Sequence, residues 1–169
     1  MVFRDGLIGF SAMSYTTEAK TLIRSFKELG ESSLATYIAQ SLVSLVPCFD
    51  EHPTKLVAIP SNQRTTRERG FNPPELIARE LCQLVPHLRW ENLLYRTRQT
   101  NDQSKLSPLQ RRENQRDSML AEAGSERVVL IDDVVTTGAT LKAAEQALVA
   151  AGHSVIGFLT FAETESKKV

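Results

Sequence analysis

The sequence predicts an α/β fold in which a mainly parallel central sheet is flanked by helices, within a single domain over residues 1–169. Strand-like and helix-like segments alternate along the chain, which is typical of parallel sheets with helical crossovers. Four consecutive aliphatic residues, 128–131, suit a strand that is buried on both faces. A length of 169 residues suits one hydrophobic core. Ligands of such sheets bind beyond the carboxyl ends of the strands, so a binding site is expected there.

The first third of the chain predicts one strand and two helices. Residues 7–15, LIGFSAMSY, are rich in strand formers. Two helices with an apolar stripe follow, the first capped by Thr17 and ended by Gly30, the second ended before Pro47. Their stripes are Ala19, Leu22, Ile23, Phe26 and Leu29, and then Leu34, Ala35, Ile38, Ala39, Leu42, Val43 and Val46.

The middle of the chain predicts a strand at 55–60, a polar stretch from Ser61 to Gly70, and a helix capped by Asn72 with Pro73 in its first turn. ENLLYRTR, residues 91–98, predicts a short strand. The next 17 residues contain only two aliphatic side chains, so a mobile loop is predicted over 97–115. The last part predicts a strand, a tight loop, a helix ended by Gly152, and a final strand.

Charge and composition argue against a general affinity for nucleic acid or lipid, against a cysteine-based zinc or disulfide framework, and against a membrane span. Twenty basic and twenty acidic residues give zero formal charge, so any anion site must be local. Cys48 and Cys82 fit neither a zinc pair nor a disulfide framework. No apolar run approaches the roughly 20 residues of a membrane span, so a cytoplasmic protein without a membrane partner is expected. The three histidines lack metal-like spacing and are expected to be ordinary surface or loop residues: His52, His87 and His153.

The segment VVLIDDVVTTGAT, residues 128–140, carries the strongest functional signal. Asp132 and Asp133 follow the aliphatic strand, and burying them unpaired would be costly. Both are therefore expected to face a solvent-filled crevice, where they accept hydrogen bonds from sugar hydroxyls or hold magnesium through water. Three threonines and Gly138 follow where a helix begins, and its free amides and dipole favour a phosphate group. An ordinary capped helix is the alternative, but capping requires neither paired acids nor three threonines.

This segment resembles the signature of type I phosphoribosyltransferases, which has aliphatic residues, two acids and then T-T-G-x-T. The resemblance implies that Asp132 and Asp133 hold the ribose of phosphoribosyl pyrophosphate as catalytic residues and contact Mg²⁺ indirectly, through the ligand or water. It also implies that a six-residue loop binds the 5′-phosphate: Val135, Thr136, Thr137, Gly138, Ala139 and Thr140.

Two further segments are similar to the ComF-like branch of this family: RERGFN at 67–72 followed by ELIA, and Gln103, Leu106, Arg111 and Asn114 at the family spacing. The helix segment LIRSFKELG also resembles the family, with a lysine before a glycine. The family's usual N-terminal four-cysteine zinc segment has no counterpart in this sequence. The branch implies a role in competence, with single-stranded DNA or a helicase as partner.

The resemblance places two more groups of residues around the diphosphate. The pyrophosphate-binding loop corresponds to Ser61, Asn62, Gln63 and Arg64. The mobile loop includes Gln103, Arg111, Arg112 and Asn114, with Lys105 as a catalytic residue that reaches the leaving group when the loop closes. For these segments, a solvated loop and a solvated linker are the alternatives.

The sequence thus predicts a magnesium-dependent phosphoribosyltransferase that displaces pyrophosphate from C1′ with a nitrogen nucleophile. The acceptor is not specified, and a homodimer is compatible with the sequence. A non-catalytic binder of a phosphoribosyl ligand that assists DNA uptake is the alternative. A receiver-like domain with Asp132 as phosphoacceptor is a weaker one, because the acid pair comes late in the chain.

Overall fold

The computed structural model describes residues 1–28, 33–49, 55–97 and 119–164. The strands are β1 (Val2–Arg4), β2 (Leu7–Ser14), β3 (Lys55–Ala58), β4 (Arg89–Trp90), β5 (Leu94–Arg96), β6 (Met119–Ala121), β7 (Arg127–Val135) and β8 (Ser154–Glu163). The α-helices are α1 (Thr17–Glu28), α2 (Ser33–Val43), α3 (Gln63–Arg69), α4 (Pro73–Leu84) and α5 (Ala139–Ala150). A 3₁₀ helix covers Val46–Phe49.

Six strands form one sheet in the order β1-β2-β8-β7-β3-β4. Only the β1–β2 pair is antiparallel, and the other neighbours run parallel. Strands β5 and β6 form a separate antiparallel pair. The predicted α/β architecture, a mainly parallel sheet flanked by helices, is confirmed. Among the described helices, none combines the length and apolar character needed to cross a membrane.

Strand β7 lies in the middle of the core and divides it into two layers. Val129 and Ile131 point into the cluster formed with α1, α2 and α4. Val128 and Leu130 point into the cluster that includes β5, β6 and α5. This alternation does not continue to the end of β7, since Val134 packs against the first cluster and Val135 belongs to the second.

Several short elements were not predicted. Strand β1 has three residues and β4 has two, too few for an alternating pattern to show. Helix α3 lies inside the stretch predicted as a polar loop, and it has no buried residue. Polar termini define it: the Asn62 side chain accepts a hydrogen bond from the Arg64 amide, and Gly70 ends the helix at a φ of 82°.

Two predicted helix boundaries are corrected by the structure. The first helix is capped by Thr16 rather than Thr17, since the Thr16 hydroxyl accepts a hydrogen bond from the Ala19 amide at 3.3 Å. The second helix ends at Val43, and the chain tightens into the 3₁₀ turn before reaching Pro47. Gly30 and most of the predicted mobile loop lie outside the described residues.

His153 lies in the loop between α5 and β8, as a surface or loop histidine would, but its side chain is buried. Its Nδ1 accepts a hydrogen bond from the Glu126 amide at 3.2 Å, and its Nε2 lies 2.9 Å from the Glu122 carbonyl oxygen. Since Nδ1 accepts, the proton belongs on Nε2, which donates to the carbonyl. The neutral ring thereby ties the β6–β7 connection to the turn after α5.

Replacing His153 with alanine is expected to lower the free energy of unfolding by about 2–3 kcal/mol, because an amide and a carbonyl would lose their partner in a buried position. Urea unfolding followed by circular dichroism measures the change. The exposed His87 provides the control, and its replacement by alanine should change the free energy of unfolding by less than about 0.5 kcal/mol. Equal effects of the two substitutions would contradict the structural role of His153.

Candidate functional site

A cavity of about 510 Å³ lies at the carboxyl ends of β7 and β3. Helix α1 forms one wall, the segment Ile59–Ser61 and the end of α3 form a second, and Arg96 of β5 closes a third. Asp132, Asp133, Thr136 and Thr140 complete the lining. The structure thus brings together the acid pair, the threonine loop and the start of the predicted pyrophosphate segment.

The two aspartates lie among the last four residues of β7, and both line the cavity. Asp133 points toward α1, where Lys27 Nζ lies 2.6 Å from its Oδ2 atom, and the residue is only 3% exposed. Asp132 is half-buried on the side of β5 and Arg96. Asp133 thus lines the cavity as a nearly buried residue, and its charge is compensated by a lysine from a distant helix.

The environment of Asp132 disfavours its charged form. Burial raises the pKa of Asp132 to about 8, and the nearby charge of Asp133 acts in the same direction. Lys27 and Arg96 oppose the shift with their positive charges but do not cancel it. Near neutral pH the folded protein therefore holds a proton on Asp132 that an exposed aspartate would have lost.

The free energy of unfolding is expected to fall as pH rises from about 4 to about 8. In this range the unfolded chain, with an Asp132 pKa near 3.8, binds fewer protons than the folded protein, so rising pH favours unfolding. An Asp132→Asn variant stays neutral and should lack this decline. Urea unfolding at a series of pH values compares the two proteins, and equal slopes would contradict the raised pKa.

The loop between β7 and α5 has the features of a phosphate-binding turn. Gly138 adopts a φ of 89°, and a Cβ atom at this position would lie 2.8 Å from the Cβ of Arg4. The Thr137 hydroxyl accepts a hydrogen bond from the Ala139 amide at 3.3 Å, while Thr136 and Thr140 line the cavity. The next two amides of α5, those of Thr140 and Leu141, have no partner within the helix, so they are available to an anion.

Arg4 of β1 forms a hydrogen bond with this loop. Its Nε donates to the Thr136 carbonyl oxygen at 3.0 Å. Its Nη2 lies 3.2 Å from a Glu163 carboxylate oxygen and also donates to the Thr164 carbonyl oxygen. Arg4 is buried, and these contacts connect β1, the phosphate loop and the end of β8 in one network. The sequence did not point to this residue, because its partners are more than 130 positions away.

Asn72 holds the segment after β3 rather than capping α4 as predicted. Its Oδ1 accepts hydrogen bonds from the Ser61 amide at 3.2 Å and the Ser61 hydroxyl at 2.7 Å. Its Nδ2 donates to the Ile59 carbonyl oxygen at 3.2 Å. Helix α4 has no side-chain cap at this residue. The last residue of the RERGFN motif thus fixes the predicted pyrophosphate segment against the site.

The four residues predicted to bind pyrophosphate separate in the structure. Ser61 lines the cavity, and Asn62 caps α3. Gln63 lines a neighbouring cavity of about 300 Å³. Arg64 lies outside both linings, with its side chain 86% exposed and its Nε 2.9 Å from Glu68 Oε1. The assignment of these four residues to pyrophosphate binding remains a prediction.

Five basic residues of the described ranges line the cavity. They are Lys20, Arg24, Lys27, Arg69 and Arg96. The acidic lining residues are Glu28, Asp132 and Asp133. Arg96 is held by a hydrogen bond from its Nε to the Pro60 carbonyl oxygen at 2.6 Å. The spacing of Lys20, Arg24 and Lys27 on one helical face was the available signal, but it is also the spacing of a solvated face.

The remaining predicted residues lie outside the described ranges: Gln103, Lys105, Arg111, Arg112 and Asn114. Their roles stay predictions. Across the described residues, no group of three or more histidine, cysteine, aspartate or glutamate side chains is placed to hold a metal ion.

A match to a known protein family covers the acid pair and the threonine loop. Residues 68–169 match the family model described as the phosphoribosyl transferase domain, and this match includes both aspartates and the whole loop. The chain belongs to the phosphoribosyl transferase domain family. The match covers more than half of the chain and begins inside the RERGFN motif.

Individual relatives place the chain in the ComF-like branch of this family, as predicted. It is 33% identical over 107 residues to DNA utilization protein YhgH of Escherichia coli (strain K12), covering 62% of this chain and 47% of the relative. It is 32% identical over 94 residues to Competence protein F of Haemophilus influenzae, covering 53% of this chain and 41% of the relative. The chain therefore spans about half the length of the curated relatives it matches.

Solved structures are more distant. Adenine phosphoribosyltransferase from Thermoanaerobacter pseudethanolicus is similar with a TM-score of 0.49 and 16% identity, covering 80% of this chain and 72% of that one. The assignment to the phosphoribosyl transferase family therefore rests on the family match and on the strand, loop and helix that carry the motif.

Proposed function

We propose that this chain binds phosphoribosyl pyrophosphate and transfers its phosphoribosyl group to a nitrogen nucleophile, releasing pyrophosphate. One observation carries the proposal: the acid pair and the threonine loop converge on a cavity whose other walls are basic. Capping a helix would not require such a cavity. A sugar that carries phosphate groups at both ends matches the order of these groups along the site.

Each part of the ligand has matching chemistry in the cavity. The 5′-phosphate would bind the amides at the start of α5 together with Thr136 and Thr140. The ribose hydroxyls would donate hydrogen bonds to Asp132, with Asp133 behind it. The diphosphate would lie toward Ser61, Arg69 and Arg96, because these residues form the wall on the β3 side.

In the proposed reaction, the bond between C1′ and the diphosphate oxygen breaks with its electron pair on the leaving group. The nucleophile's nitrogen forms the new bond to C1′ and loses a proton. The protein contributes by orienting the sugar and stabilising charge rather than by forming a covalent intermediate. No described side chain is assigned as the base that takes this proton.

Mg²⁺ fits this site as a partner of the ligand. Asp132 and Asp133 would contact it through water or through the ligand, since three protein ligands are not assembled in the described residues. Bound to the diphosphate, the ion would neutralise charge on the leaving group. The protein's own task is to hold the acid pair and the basic wall at fixed positions around it.

Release of pyrophosphate tests the proposal. Phosphoribosyl pyrophosphate, Mg²⁺ and a panel of nitrogen bases would be incubated with the protein, and ligand binding without base would be measured by calorimetry. Release that requires both protein and base supports the transferase. Binding without release for every base would refute the proposed catalysis, and absence of binding would refute the ligand as well.

A second candidate function is favoured by the names of the relatives, DNA utilization protein and Competence protein F. In this alternative the chain binds a phosphoribosyl ligand without turnover and acts in DNA uptake through single-stranded DNA or a helicase. The same calorimetry, followed by titration with single-stranded oligonucleotides, distinguishes it. Oligonucleotide binding that depends on phosphoribosyl pyrophosphate, without pyrophosphate release, would support this alternative over the transferase.

A further inference from the structure

Lys27 is the basic residue nearest the acid pair. Its Nζ lies 2.6 Å from Asp133 Oδ2, and its side chain is 30% exposed, whereas the Asp133 side chain is 5% exposed. An ammonium group has three donors, and one of them addresses Asp133. The exposed part of Lys27 lines the cavity, so its other donors are available to a ligand there.

The fold places Lys27 on the diphosphate side of the cavity. Helix α1 begins after β2 and reaches β7 at Lys27. It therefore passes β8 and runs in the direction of β3. In the same turn, the Phe26 ring packs on Phe71 with centroids 5.6 Å apart. The next residue, Asn72, holds Ser61. The last turn of α1 is thereby fixed beside the segment after β3.

We propose that Lys27 is a ligand-binding residue for the diphosphate group, held in position by Asp133. This inference rests on the proposed function, because it names which group of that ligand α1 contacts. Asp133 then has a role that the motif does not reveal: it fixes the direction of a cation rather than serving the sugar alone. The diphosphate leaving group would then contact Lys27 of α1 as well as the wall on the β3 side.

Binding of inorganic pyrophosphate and of ribose 5-phosphate, each measured by calorimetry, tests this assignment. The informative comparison is Asp133→Asn against the double variant Lys27→Met with Asp133→Asn, because these proteins differ only at Lys27 and neither buries an unpaired carboxylate. The double variant is expected to bind pyrophosphate roughly ten- to hundredfold more weakly than Asp133→Asn, the loss typical of one charge-assisted hydrogen bond. Ribose 5-phosphate should bind both variants within about twofold.

Three other outcomes would overturn the proposal. Equal pyrophosphate affinity of the two variants, or no pyrophosphate binding by the unchanged protein, would exclude Lys27 as a diphosphate ligand. Equal loss of pyrophosphate and ribose 5-phosphate would show that Lys27 supports the site as a whole instead. Failure of the unchanged protein to bind ribose 5-phosphate would refute the proposed function, while the pyrophosphate comparison would still decide the role of Lys27.

Two controls keep the comparison clear. Far-ultraviolet circular dichroism checks folding, and Lys27→Gln with Asp133→Asn replaces the double variant if the methionine version does not fold. The pair Lys142 and Glu145, with Nζ and Oε2 2.6 Å apart on α5, lies outside the cavity lining. Lys142→Met with Glu145→Gln removes an ion pair of the same length and should leave pyrophosphate affinity unchanged within about twofold.

Discussion

Replacing Gly138 with alanine is expected to abolish the protection that ribose 5-phosphate gives against thermal unfolding. The alanine Cβ would lie 2.8 Å from the Arg4 Cβ, in a backbone conformation with a φ of 89° that side chains rarely adopt. The loop must move to relieve this contact, and the amides that it presents to the phosphate move with it. Backbone strain of this kind also costs about 1–3 kcal/mol of folding free energy.

Gly70 provides a matched control for the backbone strain. It has a similar φ of 82°, but a Cβ atom there would meet nothing within 4 Å. Alanine at Gly70 should therefore lower the melting temperature while leaving the increase caused by ribose 5-phosphate intact. Full protection of the Gly138→Ala variant by the same ligand would show that this loop does not bind the phosphate.

The Asp132→Asn variant is expected to bind ribose 5-phosphate at least tenfold more weakly than the unchanged protein. Asparagine keeps the shape of the side chain but removes a charge-assisted acceptor for a sugar hydroxyl, an interaction worth roughly 1.5–3 kcal/mol. Calorimetry should be performed near pH 9, because the pKa of Asp132 is about 8 and the side chain is ionised only above that value. At pH 6 the difference between the two proteins should shrink.

Glu145→Gln removes a carboxylate that lies outside the cavity lining and serves as the control for this experiment. Its affinity for ribose 5-phosphate should match that of the unchanged protein at both pH values. Undiminished affinity in a folded Asp132→Asn variant at pH 9 would remove this residue from the sugar site.

The parts of the fold and site that could be predicted are those whose signal lies in consecutive residues. The strand, loop and helix over 127–150 combine an aliphatic run, two acids and three threonines within a short distance. The buried faces of α1 and α2 likewise follow from apolar residues at helical spacing. Such local patterns are sufficient to predict an element because the spacing of its apolar residues indicates which side is buried.

The parts that could not be predicted depend on partners that are distant in sequence. Neither the segment around Lys27 nor the segment around Asp133 indicates that these two residues pair. The path of α1 across the sheet brings them together. Asn72 precedes a proline-rich helix start and has the sequence of a cap, yet its amide bonds to Ser61 and Ile59. A polar side chain has several satisfactory partners, and the tertiary packing selects among them.

The Arg4 network has a consequence for how the protein folds. Arg4 joins Thr136 of the phosphate loop to Thr164 through contacts that span 132 and 160 positions, so this network is complete only when β1, β7 and β8 have come together. Contacts of such long sequence separation form slowly, because the entropy of closing the loop must be overcome first. During synthesis on the ribosome, β7 and α5 would emerge well before Thr164 arrives to complete the network. Binding of ribose 5-phosphate would therefore report completed folding of the whole chain rather than formation of the local motif.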